Sequence, residues 1–173
     1  MHRLFMFPSC LLCTLFFIPA YASPLISQHV PDAKEVGSGR LSVVFWDVYD
    51  ITLYAPEGDW QHSKPFALKI TYMRTIDGTD IADRSAEEMR NLGYNNEVKL
   101  AAWHSQMRTI FPDVAPGTEL TGVYRSDQST IFYHNNQQIG LVRDPEFGQW
   151  FFDIWLSEKT PEPQLRAALL GKR

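Results

Sequence analysis

The chain has only two cysteines, Cys10 and Cys13, and both fall inside an apolar stretch at its start. Beyond that stretch there is no thiol, which excludes a disulfide framework, a thiolate metal site and a cysteine nucleophile. Basic charge is also short. Sixteen Lys+Arg stand against 20 Asp+Glu, for a net charge of −4, whereas a nucleic-acid binder needs a basic face to neutralise phosphates. The five histidines make no i, i+4 pair, so a helical zinc motif is absent. Asp77, Asp80 and Asp83 lack the alternating acids and the distant Glu of a calcium loop, and suit helix capping better. Ser38 sits in Gly-Ser-Gly rather than in a nucleophile elbow. No apolar run reaches the ~20 residues that span a bilayer. The longest, Leu4 to Pro19, is interrupted by Pro8.

That run is preceded by Met1-His2-Arg3 and followed by Ala20-Tyr21-Ala22, with small residues at positions −3 and −1. The layout predicts a signal peptide over residues 1–22, cleaved after Ala22. No stable membrane insertion is expected after cleavage. The remainder is globular in composition; the whole sequence is 45% hydrophobic and 21% charged.

Residues 23–35 read as a polar N-terminal arm, extended as far as Lys34, and Gly37-Ser38-Gly39 as a turn. Period-two alternation then predicts a strand from Arg40, with Leu41, Val43 and Phe45 on one face. A second strand is predicted over Val48–Tyr54, with Asp47 at the bend, and a third over Phe66–Arg74. Helical spacing begins near Asp80, where Ile81, Arg84-Ser85, Glu88-Met89 and Leu92 recur up to Gly93. A second helix is predicted over Asn96–Phe111. Three short strands follow at 118–125, 129–134 and 137–142, with Asn135-Asn136 as a hairpin turn. Asp144 and Pro145 then open a helix whose stripe is Phe147, Trp150, Phe151, Ile154 and Trp155. A last helix is predicted over Pro161–Leu170. Strands, two helices, strands and two helices in that order predict an α+β fold with a largely antiparallel sheet.

Several phrases line up with one family. They are Val48-Tyr49-Asp50-Ile51-Thr52-Leu53-Tyr54, Ile81-Ala82-Asp83-Arg84-Ser85, Phe111-Pro112-Asp113-Val114, Asp144-Pro145-Glu146-Phe147 and Ile154-Trp155-Leu156-Ser157. In order and spacing the chain resembles the bacterial, exported branch of the chalcone isomerase-like proteins over residues 36–171. The resemblance implies an open-faced β-sandwich, a mostly antiparallel sheet with helices packed across one face and a ligand cleft between them. It also implies a periplasmic location. In the plant enzymes that cleft cyclises chalcones. In plastid relatives it holds a fatty acid, with an Arg and a Tyr on the carboxylate.

The positions of the isomerase Tyr and Asn fall near Ile81 and Glu88, so the resemblance implies no chalcone cyclisation and no catalytic residue. Arg40 and Tyr49 fall where the fatty-acid binders carry their carboxylate grip, provided that the first two strands form a tight hairpin. Tyr72 and Arg74 share one face of the third strand. They would extend the same polar end, or simply finish a half-exposed strand. The expected function is that of a non-catalytic periplasmic binding protein for a small amphipathic anion such as a fatty acid, without cofactor or metal. Two alternatives stay open: an isomerase or lyase using the same cleft with Glu88, and a protein-interaction module whose cleft is filled.

Overall fold

The computed structural model describes residues 23–172; the signal-peptide reading of residues 1–22 lies outside them. Six strands, β1 (Ala33–Val43), β2 (Trp46–Pro56), β3 (Phe66–Tyr72), β4 (Glu119–Tyr124), β5 (Thr130–His134) and β6 (Gln137–Val142), form one sheet in sequence order. Every neighbouring pair is antiparallel. Four helices, α2 (Gly78–Asn91), α3 (Glu97–Ile110), α4 (Pro145–Leu156) and α5 (Pro163–Leu169), cover one face. The α+β open-faced sandwich is therefore the fold.

The main core lies between that face and the helices. Phe66, Leu68, Ile70 and Tyr72 of β3 point into it together with Phe147, Phe151 and Phe152 of α4. The intervening Ala67 belongs to a second, smaller cluster on the other face, as strand alternation requires. There it meets Ile26 and Val30 of the N-terminal segment. Residues 23–32 are accordingly not an extended arm. Pro24–Ser27 form a short helix, α1, whose apolar side chains close the outer face against Tyr54, Val123, Ile131 and Tyr133. His29 adds a 2.6 Å hydrogen bond to the Tyr133 hydroxyl.

The glycine turn is also corrected. Gly37, Ser38 and Gly39 run through the middle of β1. They lie under α5, where a Cβ on Gly37 would stand 2.1 Å from the Ala168 carbonyl oxygen and one on Gly39 would stand 2.6 Å from Leu165. The glycines serve close approach of a helix rather than chain reversal. The reversal comes later, at Val44-Phe45, so Asp47 is inside β2 and Phe45 faces solvent, not the core. At α2, Asp77 rather than Asp80 holds the N-cap position. Its side chain makes no capping bond; Asp113 instead accepts from the Gly78 N–H at 2.9 Å. Asp83 accepts from His104 and Arg108 of α3, at 2.6 and 2.9 Å, and so ties the two helices together.

Candidate functional site: a cavity between sheet and helices

The sheet and the helices do not pack completely. Between them lies a cavity of about 520 Å³, within the size range of small-molecule sites. Its deep wall is apolar: Leu68 and Ile70 of β3, Phe132 of β5, and Phe151, Phe152 and Ile154 of α4. It opens beside Val43, which lines the cavity and is still 54% exposed. Asp80, Arg84 and Glu162, also exposed, line it as well.

Two phenols mark the polar side. Tyr49 and Tyr72 are directly paired across β2 and β3, and their rings meet edge to face with centroids 5.9 Å apart. The Tyr49 hydroxyl accepts a 2.9 Å hydrogen bond from Trp155 Nε1, which leaves its own proton to donate. Among the described residues nothing bonds the Tyr72 hydroxyl. Burial pushes the Tyr49 phenol up to about 12, with Glu162 and Glu88 adding to the rise and the Trp155 bond opposing it. Burial, and then the neighbouring Tyr49, push Tyr72 up as well. Both phenols are therefore neutral donors at ordinary pH.

Helix α2 contributes the rest. Ile81, Arg84, Ser85 and Glu88, spaced i, i+3, i+4 and i+7, all line the cavity. The Glu88 side chain is only 8% exposed and is ion-paired with Arg84, which also holds Glu87 at 3.1 Å. The Ser85 hydroxyl is used up on the Ile81 carbonyl at 2.7 Å.

The residues expected to form an anion grip separate into two groups. Tyr49 and Tyr72 come together in the cavity wall. Arg40 and Arg74 are not part of that wall. Arg40 is opposite Asp50 in the β1–β2 register while Tyr49 is opposite Leu41, so the two side chains leave opposite faces of the hairpin. The Arg40 guanidinium is bound to Asp50 at 2.6 and 3.0 Å and to Asp47 at 2.9 Å. The two-residue hairpin is as tight as Arg40 and Tyr49 would require, but the register turns the arginine outward. Arg74 lies over the Trp46 ring, 4.9 Å from its centroid. The guanidinium that does line the cavity is Arg84. Its helical spacing with Ile81 and Glu88 was the available signal: polar residues inside an otherwise core-facing stripe. Among the described residues, no three His, Cys, Asp or Glu side chains are grouped so as to hold a metal ion.

This arrangement, an antiparallel meander roofed by helices over a partly apolar cleft, agrees with the sequence comparison. The profile of the chalcone isomerase-like family matches residues 36–171. The chain belongs to the chalcone isomerase-like family. By sequence, no curated protein matches it. By structure, the chain is similar to the crystal structure of a fatty-acid binding protein of Arabidopsis thaliana. The TM-score is 0.63 at 10% identity, over 81% of this chain and 87% of that one. At this identity the likeness shows a shared fold. Within that family fold, the first-helix positions expected for the isomerase Tyr and Asn are Ile81 and Glu88, and both face the cavity.

Proposed function

We propose that this protein binds one small amphipathic molecule of the fatty-acid class in the cavity and does not transform it. The observation that carries the reading is the open cavity itself, about 520 Å³, apolar in its depth and bordered by two neutral phenols. The hydrocarbon chain lies against Leu68, Ile70 and the α4 aromatics, where burial supplies most of the affinity at ~25 cal/mol per Å². The head group takes hydrogen bonds from Tyr49 and Tyr72. Arg84, ion-paired with Glu88, offsets that buried carboxylate, while the other two carboxylates of the lining, Asp80 and Glu162, are exposed to water. Ile81, having no polar atom, offers nothing to polarise a substrate, and this favours binding over the family's isomerisation. We also propose export through residues 1–22, with residence in the periplasm.

One observation favours a second reading. A mostly buried carboxylate, Glu88, lines an apolar cavity, which suits a proton-transfer enzyme. The structure weighs against a filled-cleft module, because the space is there. Calorimetric titration with dodecanoic acid and with dodecanol tests the binding reading. Wild type is expected to bind the acid. Ile81→Phe, which puts a ring into the cavity from a half-buried position, weakens both ligands about tenfold or more, equivalent to ~1.4 kcal/mol. Arg84→Gln weakens the acid alone. No saturable binding by wild type, or equal affinity in Ile81→Phe, contradicts the proposal. Turnover of a bound ligand lost in Glu88→Gln transfers the argument to the enzyme.

A further inference from the structure

The β1–β2 hairpin ends in four consecutive apolar residues that the fold leaves in water. Val43, Val44, Phe45 and Trp46 are 54, 81, 92 and 63% exposed, and Met73 beside them is 36% exposed. The turn is costly as well as apolar. Val44 has φ 58°, the left-handed region where glycine, asparagine or aspartate ordinarily stands and a β-branched residue is strained. The two-residue hairpin needs the positive φ, but glycine or asparagine would supply it without strain, and closing the turn asks for no apolar residue. Strain and exposure at one point indicate a role outside folding.

We propose that this tip docks the protein on a lipid bilayer, with the cavity mouth held against the headgroups. Four residues are too few for a stable protein partner, which occupies about 20–30 residues a side. They suit a wedge. Tryptophan and phenylalanine are residues that settle in the interfacial layer. Arg74, with its guanidinium 4.9 Å from the Trp46 ring centroid, sets a cation at the level of the lipid phosphates. Arg40 offsets one of the two carboxylates, Asp47 and Asp50, that neighbour the tip, and Arg74 balances the other, so the tip carries no net charge and contact is mainly apolar. Among the described residues no helix is long and apolar enough to cross a membrane, and the proposal asks only for a shallow insertion.

The decisive placement is continuity. Val43 belongs to the exposed tip and to the cavity lining, and Val48, two residues after Trp46, lines the cavity too. An amphipathic molecule leaving by this side passes from the cavity into the bilayer without crossing open water. This transfer step rests on the binding function proposed above; the docking step does not.

Sedimentation of the purified protein with vesicles tests docking. One set is phosphatidylcholine alone and the other contains about 25% phosphatidylglycerol. Wild type is expected to sediment with both, and about 0.5 M NaCl changes this little. Phe45→Ser weakens it about tenfold or more, while its thermal melt and its dodecanoic acid affinity in vesicle-free solution stay as in wild type. Brominated lipid quenches tryptophan emission in wild type, and Trp46→Phe removes most of that quenching. No vesicle binding by wild type, or equal binding by Phe45→Ser, overturns the proposal. Self-association or partner retention that Phe45→Ser abolishes, without vesicle binding, also overturns it and makes the tip a protein interface. Ile81→Phe separates the two readings: docking persists when cavity binding is lost.

Discussion

Tyr72 has a buried ring and a hydroxyl with no partner among the described residues. Tyr72 lines the open cavity, so its hydroxyl is free to donate there. Tyr72→Phe is expected to leave stability unchanged or slightly raised, and to weaken dodecanoic acid about two- to tenfold, the worth of one neutral hydrogen bond. Arg40→Ala is expected to leave that affinity unchanged, because its guanidinium is held by Asp47 and Asp50 on the far face. Paired calorimetric titrations check both. A large loss in Arg40→Ala would mean that the hairpin register differs from the one described. The sequence placed Tyr49 and Tyr72 on strands, and alternation alone sends their side chains to a face. What it did not show was the register between β1 and β2, since a single-residue slip moves Arg40 from one face to the other.

Two elements carry roles that their composition concealed. β1 passes beneath α5 only because residues 37 and 39 lack a Cβ. Gly37→Ala should cost about 2–3 kcal/mol, the scale of overpacking against backbone, read as a lowered melting temperature with faster hydrogen exchange in α5. A wild-type melt in this variant would show that α5 can move away without loss. The glycines looked like a turn because Gly-Ser-Gly is ordinary turn chemistry, and only tertiary contact distinguishes the two uses. α1 is the other case. Desolvation, reinforced by Arg125, lowers the pKa of His29. The fold thus prefers neutral imidazole, while the unfolded chain takes up a proton as pH falls through about 6.5. Stability from this docking is present above that value and is lost below it. The hydrogen-exchange protection of residues 26–33, after correction for the intrinsic pH dependence of exchange, should fall between about pH 7 and pH 5, and His29→Gln should flatten the change. A wild-type profile independent of pH would remove His29 from the account.

At the scale of the whole molecule, the sheet, the four covering helices and their order were legible, because periods of two and 3.6 are local. Asp144-Pro145 opens α4, and Asn135-Asn136 turns with both φ values positive, as the residue types require. The cavity was not legible. The α4 stripe reads the same whether it faces packed core or open space, and only the distance between layers decides. The exposed tip escaped for a related reason: Val43 and Phe45 alternate like core residues, but the strand ends before Phe45 reaches the core. Together these features describe a sandwich that has kept a space between its layers and an apolar edge at its mouth. The central claim is that the space holds a molecule. Native mass spectrometry of the protein purified without detergent from the cells that make it tests this most directly. The account predicts one bound small amphipathic molecule per chain, released on denaturation and absent from Ile81→Phe. Bare protein mass in wild type, unchanged after incubation with dodecanoic acid, would contradict it.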